Sequence, residues 1–370
     1  MGIAPEAFTL IMTNGINFDY YTSPGMSYRI QNSVMDLQMT LENSMCDILQ
    51  QRIQDTRQGA VLICDRGLMD GSAYMSNGEW ESLVKNREDV GSVVDLREQR
   101  YNAVFHLVTA ADGAEEFYTL ENNVVRTEGL EEARVQDAKT RTAWLGHPKM
   151  CVFDNSTDFE GKLERVVAAA ANIVGLPSGL HRRSNGKFVL RSKPEFERFP
   201  VDVSYQVFDV EKVYLYDESM NTAAANDIQD GKDYFEYSFV RKRSYKKTNS
   251  SSSSGIACGL TTVRVDKKTG TETEVKRIIS MREYNSSVKS RDMTRHIIKQ
   301  TRISFFWKLQ SFVVHIYHEP VSDLCLLYCQ ANDQPSNSIA LPPFLDVDRA
   351  ITESEEDEKK YGAFSISKCE

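Results

Sequence analysis

The first 176 residues alternate between helical and strand-like hydrophobic patterns. Apolar residues recur at intervals of three and four from Met26 to Arg57, which predicts one long helix ending before Gly59. Continuous apolar runs follow it, typical of strands covered on both faces. Their alternation with helical stretches predicts a parallel α/β sheet with crossover helices. The predicted strands are Ala60–Cys64, Ala103–Thr109 and Met150–Asp154, and the helices between or after them include Glu128–Trp144 and Phe159–Val174.

Beyond residue 176 the pattern changes to closely spaced strands. We predict a linker over residues 177–187 and an antiparallel β-barrel domain over residues 188–345. The serine-rich run Asn249–Gly255 is predicted to be a flexible loop, and the acidic tail, residues 346–370, a solvated or flexible end. The predicted strands are Val207–Tyr216, Tyr234–Lys242, Leu260–Asp266, Glu274–Glu283, Ile297–Phe306, Ser311–His318 and Leu324–Cys329.

Length and charge support two domains of opposite electrostatic character. A chain of 370 residues exceeds the usual size of a single hydrophobic core. The net charge of −9 divides into −11 over residues 1–180, +6 over residues 181–345 and −4 over the last 25 residues. We therefore expect an anionic partner to be attracted to the middle block.

The remaining composition narrows the functional class. No apolar run is long enough to span a bilayer, no secretory signal is present, and the seven cysteines form no CxxC pair, so we expect a cytoplasmic protein. Peripheral association with a membrane surface and the oligomeric state stay open. Basic strands that carry aromatic residues can bind RNA, but no RRM or KH signature is present, so no nucleic-acid partner is expected.

Candidate nucleotide-binding residues lie in the first domain. Asp65 ends an apolar strand, where parallel sheets bind ligands, and in P-loop proteins such a carboxylate holds Mg²⁺. Arg66 beside it has a guanidinium suited to a phosphate. Arg134 and Arg141 lie two turns apart on the predicted helix, like the lid arginines of nucleotide kinases, and Asn155 follows the third strand. A capping Asp and a solvated helix face are the alternatives.

Candidate polyphosphate-binding residues lie on several predicted strands of the second domain. Side chains alternate along a strand, so Arg241 and Arg243 point to one face. Like charges converging inside a barrel repel one another, and a bound polyanion makes that arrangement tolerable. Solvated outward-facing charges are the alternative. The further candidates are Arg264, Lys276, Arg282, Lys299 and Arg302.

Three motifs resemble the NadR/TRPL-translocation-defect family of P-loop ATPase-like domains. They are Pro5-Glu6-Ala7, the run Cys64–Tyr74 (CDRGLMDGSAY) and Asp154-Asn155-Ser156. Proteins of the TRPL translocation defect type also carry a domain similar to the CYTH, or triphosphate-tunnel, fold, and the similarity extends from Pro5 to about Gln330. The resemblance implies GTP recognition by the first domain, phosphoinositide recognition by the second, and a role in intracellular trafficking of membrane proteins.

One departure from the family concerns the phosphate loop. Family members begin with a strand and a Gly-rich loop ending in Gly-Lys-Thr, whereas this sequence starts at Met1-Gly2-Ile3-Ala4 and contains no GxxxxGK[ST]. We therefore expect a P-loop kinase-like domain whose first strand and P-loop are missing, as in a truncated isoform. Nucleoside triphosphates should then bind little or not at all, with Mg²⁺ and GTP or ATP expected only for a form that has the loop.

A second departure concerns catalysis in the barrel. The last predicted strand offers Tyr328 and Gln330 where enzymes of this fold carry an acidic pair for metal ions. The sequence therefore favours a phosphate-ligand binding protein over an enzyme. A nucleotide kinase-like phosphotransferase, a tripolyphosphate hydrolase and a purely structural interaction protein stay open as alternatives.

Overall fold

The computed structural model describes residues 1–16, 23, 25–119, 129–176, 185–216, 234–246, 255–266, 272–330, 339–352 and 354–369. Most of the predicted linker and of the serine-rich loop lies outside these residues. The described chain forms two compact units. One comprises Met1–Arg97 with Thr109–Trp144, and the other Glu98–Val108 with Leu145–Glu370. None of the described helices is both long and apolar enough to cross a bilayer.

The first unit is helical around a short parallel strand pair. Strand β1 (Gly2–Ala4) pairs parallel with β2 (Leu62–Cys64). The long predicted helix is confirmed as α2, which ends where Arg57 adopts a left-handed conformation (φ 56°) and its N–H donates to the Ile53 carbonyl. The described α-helices of this unit are α1 (Ala7–Thr13), α2 (Met26–Thr56), α3 (Asn77–Lys85) and α4 (Leu130–Ala143).

The second unit contains another parallel pair and one helix beside it. Strand β3 (Val104–Leu107) pairs parallel with β4 (Met150–Phe153). Helix α5 (Phe159–Ile173) follows, with the Asp158 carboxylate accepting the Gly161 N–H at 2.9 Å as its N-terminal cap. The predicted parallel α/β region is confirmed, but its described strands form two separate two-stranded sheets rather than one.

The rest of the second unit is built on one antiparallel sheet of nine described strands. Their spatial order is β13-β5-β12-β11-β10-β6-β7-β8-β9. The strands are β5 (Asn185–Leu190), β6 (Tyr205–Tyr214), β7 (Tyr234–Lys246), β8 (Gly255–Asp266), β9 (Glu272–Ile279), β10 (Ile298–Trp307), β11 (Gln310–Glu319), β12 (Cys325–Gln330) and β13 (Val347–Ala350).

The prediction of a closed barrel is wrong, because β13 and β9 are the two edges of this sheet and no pairing joins them among the described strands. Closure is not needed to bury the apolar side chains, since other segments cover the sheet. On one face Phe305 and Phe312 are fully buried and stack at 5.6 Å. Phe199 and Phe344 pack against Phe305 there.

The C-terminal segment covers part of the opposite face. The prediction of a solvated end is wrong, because β13 is followed by α7 (Glu355–Tyr361) and α8 (Ala363–Ile366). The Phe364 ring stacks on Tyr237 at 4.3 Å, and the Arg295 guanidinium lies 3.5 Å from the Phe364 centroid. Arg349 binds both oxygens of Asp357, at 2.6 and 3.0 Å. These aromatic contacts and this ion pair hold the segment in place, although its acidic composition suggested a solvated end.

One predicted strand ends earlier than expected. The segment after β9 turns at Ser280, whose hydroxyl accepts the Glu283 N–H at 3.2 Å while its N–H donates to the Glu283 carboxylate at 2.8 Å. This reciprocal cap begins helix α6 (Met281–Val288). Arg282 therefore lies on a helix, not on a strand as predicted.

Candidate anion-binding site

Asp65 and Arg66 directly follow β2 in the first unit. The Asp65 N–H donates to the Ala4 carbonyl at 2.8 Å, which holds the turn against β1. Arg66 adopts a left-handed conformation (φ 69°), and its Nε lies 3.4 Å from the Glu6 carboxylate. Burial lowers the pKa of Arg66, but the nearby carboxylates, Asp70 first, outweigh it, so the net direction is upward. The strand end thus holds a charged guanidinium among acidic groups.

Arg134 and Arg141 lie on α4 as predicted, but protein groups already bind their side chains. The Arg134 guanidinium donates to the Ala111 carbonyl at 2.6 Å and to Glu115 at 2.7 Å, and it also pairs with Glu131. Arg141 lies 3.8 Å from Asp137, and burial lowers its pKa. A phosphate would have to displace these partners before either arginine could bind it.

Asn155 belongs to the second unit, where its side-chain oxygen accepts a hydrogen bond from Lys162 Nζ at 2.7 Å. The same ammonium group donates to the Val108 carbonyl at 2.7 Å. Asn155 therefore helps to satisfy a buried lysine at the ends of β3 and β4. Across the described part of the chain, no group of three or more acidic, His or Cys side chains could hold a metal ion. The residues around Asp65 do not fit a magnesium site, and no role for a metal follows there.

Four neighbouring strands of the large sheet bring basic side chains to one face, which we call the basic face. Lys212 on β6 lies directly opposite Arg241 on β7. Arg302 on β10 lies directly opposite His315 on β11. Because directly opposed residues of antiparallel strands point to the same face and β10 pairs with β6, all four side chains share it. Lys276 on β9 also points to this face, because it lies directly opposite Thr261 on β8.

The pKa values of these groups are lowered first by burial and then by repulsion from their neighbours. Burial, together with Arg302 and Arg241, lowers the pKa of Lys212 to about 7. Burial and Arg241 lower the pKa of Arg302 to about 9. Burial and Arg243 lower the pKa of Arg241 to about 10. Burial, together with Arg302, Arg241 and Lys212, holds the pKa of His315 well below its usual value. Each group therefore resists carrying its charge in the free protein.

Nearby carboxylates, Glu274 first, partly offset this repulsion. Glu274 on β9 lies 2.6 Å from Lys276 and attracts both Lys212 and Arg241. Among the described residues, the Arg241 guanidinium meets no hydrogen-bond acceptor, and Arg302 donates through Nε to Gln300 at 2.9 Å. Glu98, which is paired with Arg243, also attracts Arg241. The cations nevertheless outnumber the acids that act on them among the described residues, a composition that favours an anionic ligand.

Arg243 lies on the same face but has a different role. Its guanidinium forms an ion pair with Glu98 at 2.7 Å and donates to the Gly146 carbonyl at 2.9 Å. Both side chains of the pair are almost completely buried, at 6% and 1% exposed. The guanidinium also lies 4.0 Å from the centroid of the Phe208 ring. Arg243 therefore joins β7 to the segment before β3 and is not available to a ligand.

The other predicted basic residues do not reach this face. Arg264 points to the opposite side of β8, where it pairs with Glu236. Lys299 points to the opposite side of β10 and pairs with Glu319 at 3.1 Å. Arg282 is exposed on α6. The structure thus places Arg241, Arg302 and Lys276 together on the basic face. Arg264, Lys299 and Arg282 lie away from it.

Sequence reasoning missed Lys212 and His315. Lys212 lies within a predicted strand, but its neighbours Glu211 and Val213 mark no basic pattern. Only the register opposite Arg241 identifies it. His315 has no charged neighbour in the sequence, and only the folded structure places its ring 4.1 Å from Tyr328 and beside Arg302. The strand alternation was the available signal, but it could not reveal which strands are neighbours.

Comparison with known proteins supports the first of the two predicted domains. Residues 5–162 match the model of the AAA domain family, which supports a P-loop NTPase-like domain over that part of the chain. No curated protein matches the sequence. Among solved structures, the chain is similar to the PH1012 protein from Pyrococcus horikoshii OT3, with 13% identity, a TM-score of 0.25 and coverage of 41% of this chain and 80% of that chain. A likeness of this size carries no conclusion about fold or function.

The contrast between Arg243 and Arg241 gives a direct test of their roles. Replacing Arg243 with Met leaves Glu98 buried without its partner, so we expect a loss of about 3 kcal/mol in the free energy of unfolding. Replacing Arg241 with Met removes a repelled charge, so stability should stay unchanged or rise by about 1 kcal/mol. Urea unfolding followed by circular dichroism measures both. Glu98→Gln in the Arg243→Met background should restore part of the loss, and equal losses for the two arginines would contradict the assignment.

Proposed function

We propose that the antiparallel-sheet part of this protein binds an oligophosphate anion on its basic face and does not hydrolyse it. The observation that carries the proposal is the grouping of Lys212, Arg241 and Arg302, which face one another and which burial and mutual repulsion hold at lowered pKa values despite the nearby Glu274. A multiply charged anion would remove the mutual repulsion and supply the hydrogen-bond acceptors that Arg241 lacks among the described residues.

A phosphoinositide headgroup is the ligand we favour. Its phosphates are carried by one compact ring, which suits cations converging from adjacent strands. Tyr214 adds a hydroxyl that is buried, on the same face, and without a hydrogen-bond partner in the described structure. A ligand that carries hydroxyl groups as well as phosphates could satisfy it. The cellular role that follows is recruitment to phosphoinositide-bearing membranes during trafficking of membrane proteins.

We infer binding rather than hydrolysis from the side chains that line the same face. Tyr328 lies directly opposite Val313 on β11, next to His315, and its pKa is raised mainly by burial. A neutral phenol does not replace a metal-binding carboxylate. Glu274 is already paired with Lys276. A tripolyphosphate hydrolase would need a group of acidic metal ligands on this face, and the described residues contain no group of three or more acidic, His or Cys side chains that could hold a metal ion.

We expect that substitutions in the basic face weaken ligand binding and that substitutions elsewhere on the sheet do not. Arg241→Ala and Arg302→Ala should each weaken binding of tripolyphosphate or an inositol phosphate by at least roughly tenfold, because each removes a charge-assisted contact. Calorimetry measures the affinity, and flotation of phosphatidylcholine vesicles with and without a phosphoinositide distinguishes a lipid headgroup from a free phosphate.

The opposite face of the same sheet supplies matched controls. Arg264→Ala and Lys299→Ala remove cations that lie in ion pairs away from the basic face, so affinity should change less than about twofold after the salt concentration is matched. Equal weakening by all four variants would indicate attraction by net charge alone and would contradict a specific site. Release of phosphate from tripolyphosphate with Mg²⁺ would favour the hydrolase instead.

For residues 5–162 we propose a nucleotide-related role, supported by the match to the AAA domain family. Arg134 is held by Ala111, Glu115 and Glu131, so nucleotide phosphates must compete with protein groups for it. We therefore expect GTP and ATP to bind this chain more weakly than micromolar. Titration followed by calorimetry checks this, and micromolar affinity for either nucleotide would contradict it.

A further inference from the structure

Two titratable side chains lie among the arginines of the basic face. Lys212 is opposite Arg241, and His315 is opposite Arg302, on four adjacent strands. All four side chains are half-buried. A ligand held by the two arginines would therefore lie on the same face as an amine and an imidazole whose protonation states can change.

Burial and three neighbouring cations oppose the charge of Lys212, whereas two aromatic ring faces and Glu274 favour it. Its Nζ lies 3.7 Å from the Phe239 centroid and 4.8 Å from the Tyr214 centroid, so the amine is covered by aromatic rings. Arg302 on β10, Arg241 on β7 and Lys276 on β9 repel it, while Glu274 on β9 attracts it. With a pKa of about 7, a large fraction of Lys212 is neutral at neutral pH.

His315 experiences the same field from the neighbouring strands. Arg302 and Arg241 repel its charged form, as do Lys212 and Arg243, and its ring packs against Tyr328. Its pKa lies well below the usual value, so the imidazole is neutral in the free protein. An oligo-anion placed between the two arginines would reverse the sign of the local field at both groups.

We propose that Lys212 and His315 are ligand-binding residues that take up protons from the solvent as an oligo-anion binds. The proposal rests on the proposed anion-binding function. Each proton moves from the buffer to Lys212 Nζ or to the His315 ring and gives the ligand a cation that the free protein lacks. By linkage, affinity must then decrease as the pH rises through neutrality, because more protons have to be supplied for each ligand bound.

Calorimetry in two buffers of different ionisation enthalpy measures this uptake directly. The probe is inositol hexasulfate, whose sulfates do not titrate near neutral pH, so that the protons counted enter the protein. At pH 7.5 we expect the parent protein to take up on the order of one proton per ligand bound. Lys212→Met should lose most of this uptake, and His315→Gln a smaller part.

The variant Lys212→Arg distinguishes the effect of a positive charge at this position from the effect of its titration. The guanidinium is expected to stay charged, so this variant should bind the probe with reduced proton uptake and with an affinity that depends less on pH. Lys299→Met, on the opposite face, is the control and should match the parent. If Lys212→Met fails to fold in a thermal melt, Lys212→Arg and the parent still decide the question.

The two proposals fail in different ways. Binding of the probe without proton uptake, or with uptake unchanged in Lys212→Arg, His315→Gln and Lys212→Met, would overturn the role of these residues and leave the anion site intact. Absence of binding to the probe, tripolyphosphate and inositol phosphates would overturn the proposed function itself, and this inference with it.

Discussion

Repulsion between like charges on one sheet face is the constraint on which this account depends. Antiparallel register sets Lys212 beside Arg241 and Arg302 beside His315, and neighbouring strands bring the two pairs together. Burial removes water from each charged group and the neighbouring cations repel it, so the pKa values of all four groups fall. Such an arrangement costs stability in the free protein, and an anionic ligand offsets that cost when it binds.

The surrounding fold supports this face without neutralising it. Arg243 is removed from the cluster by its buried pairing with Glu98, which uses one of the cations to join β7 to the segment before β3. The C-terminal helices cover the aromatic residues of the face, where Phe364 stacks on Tyr237. Glu274 is the carboxylate that acts most strongly on Lys212 and Arg241, and it is shared with Lys276. The remaining cations stay available to a ligand.

Local patterns predicted the elements, while long-range pairing decided the site. The helix Met26–Thr56 and strands such as Ile298–Trp307 follow from hydrophobic periodicity, and Arg241 and Arg302 from basic residues on strands. Register between distant strands is not encoded in any short window, so Lys212 and His315 were missed and Lys299 was placed with the cluster. The folded C-terminal segment was missed because Phe364 and Tyr361 act through contacts that composition does not reveal.

The most direct measurement of the central claim is the thermal stability of the protein with tripolyphosphate and with sodium chloride at the same ionic strength. A ligand that binds only the folded state raises the melting temperature, and the rise grows with the logarithm of the ligand concentration once that exceeds Kd. If the cations of the basic face repel one another and an oligo-anion relieves that repulsion, tripolyphosphate should raise the melting temperature well above the value in sodium chloride. Equal melting temperatures in the two solutions would contradict the account.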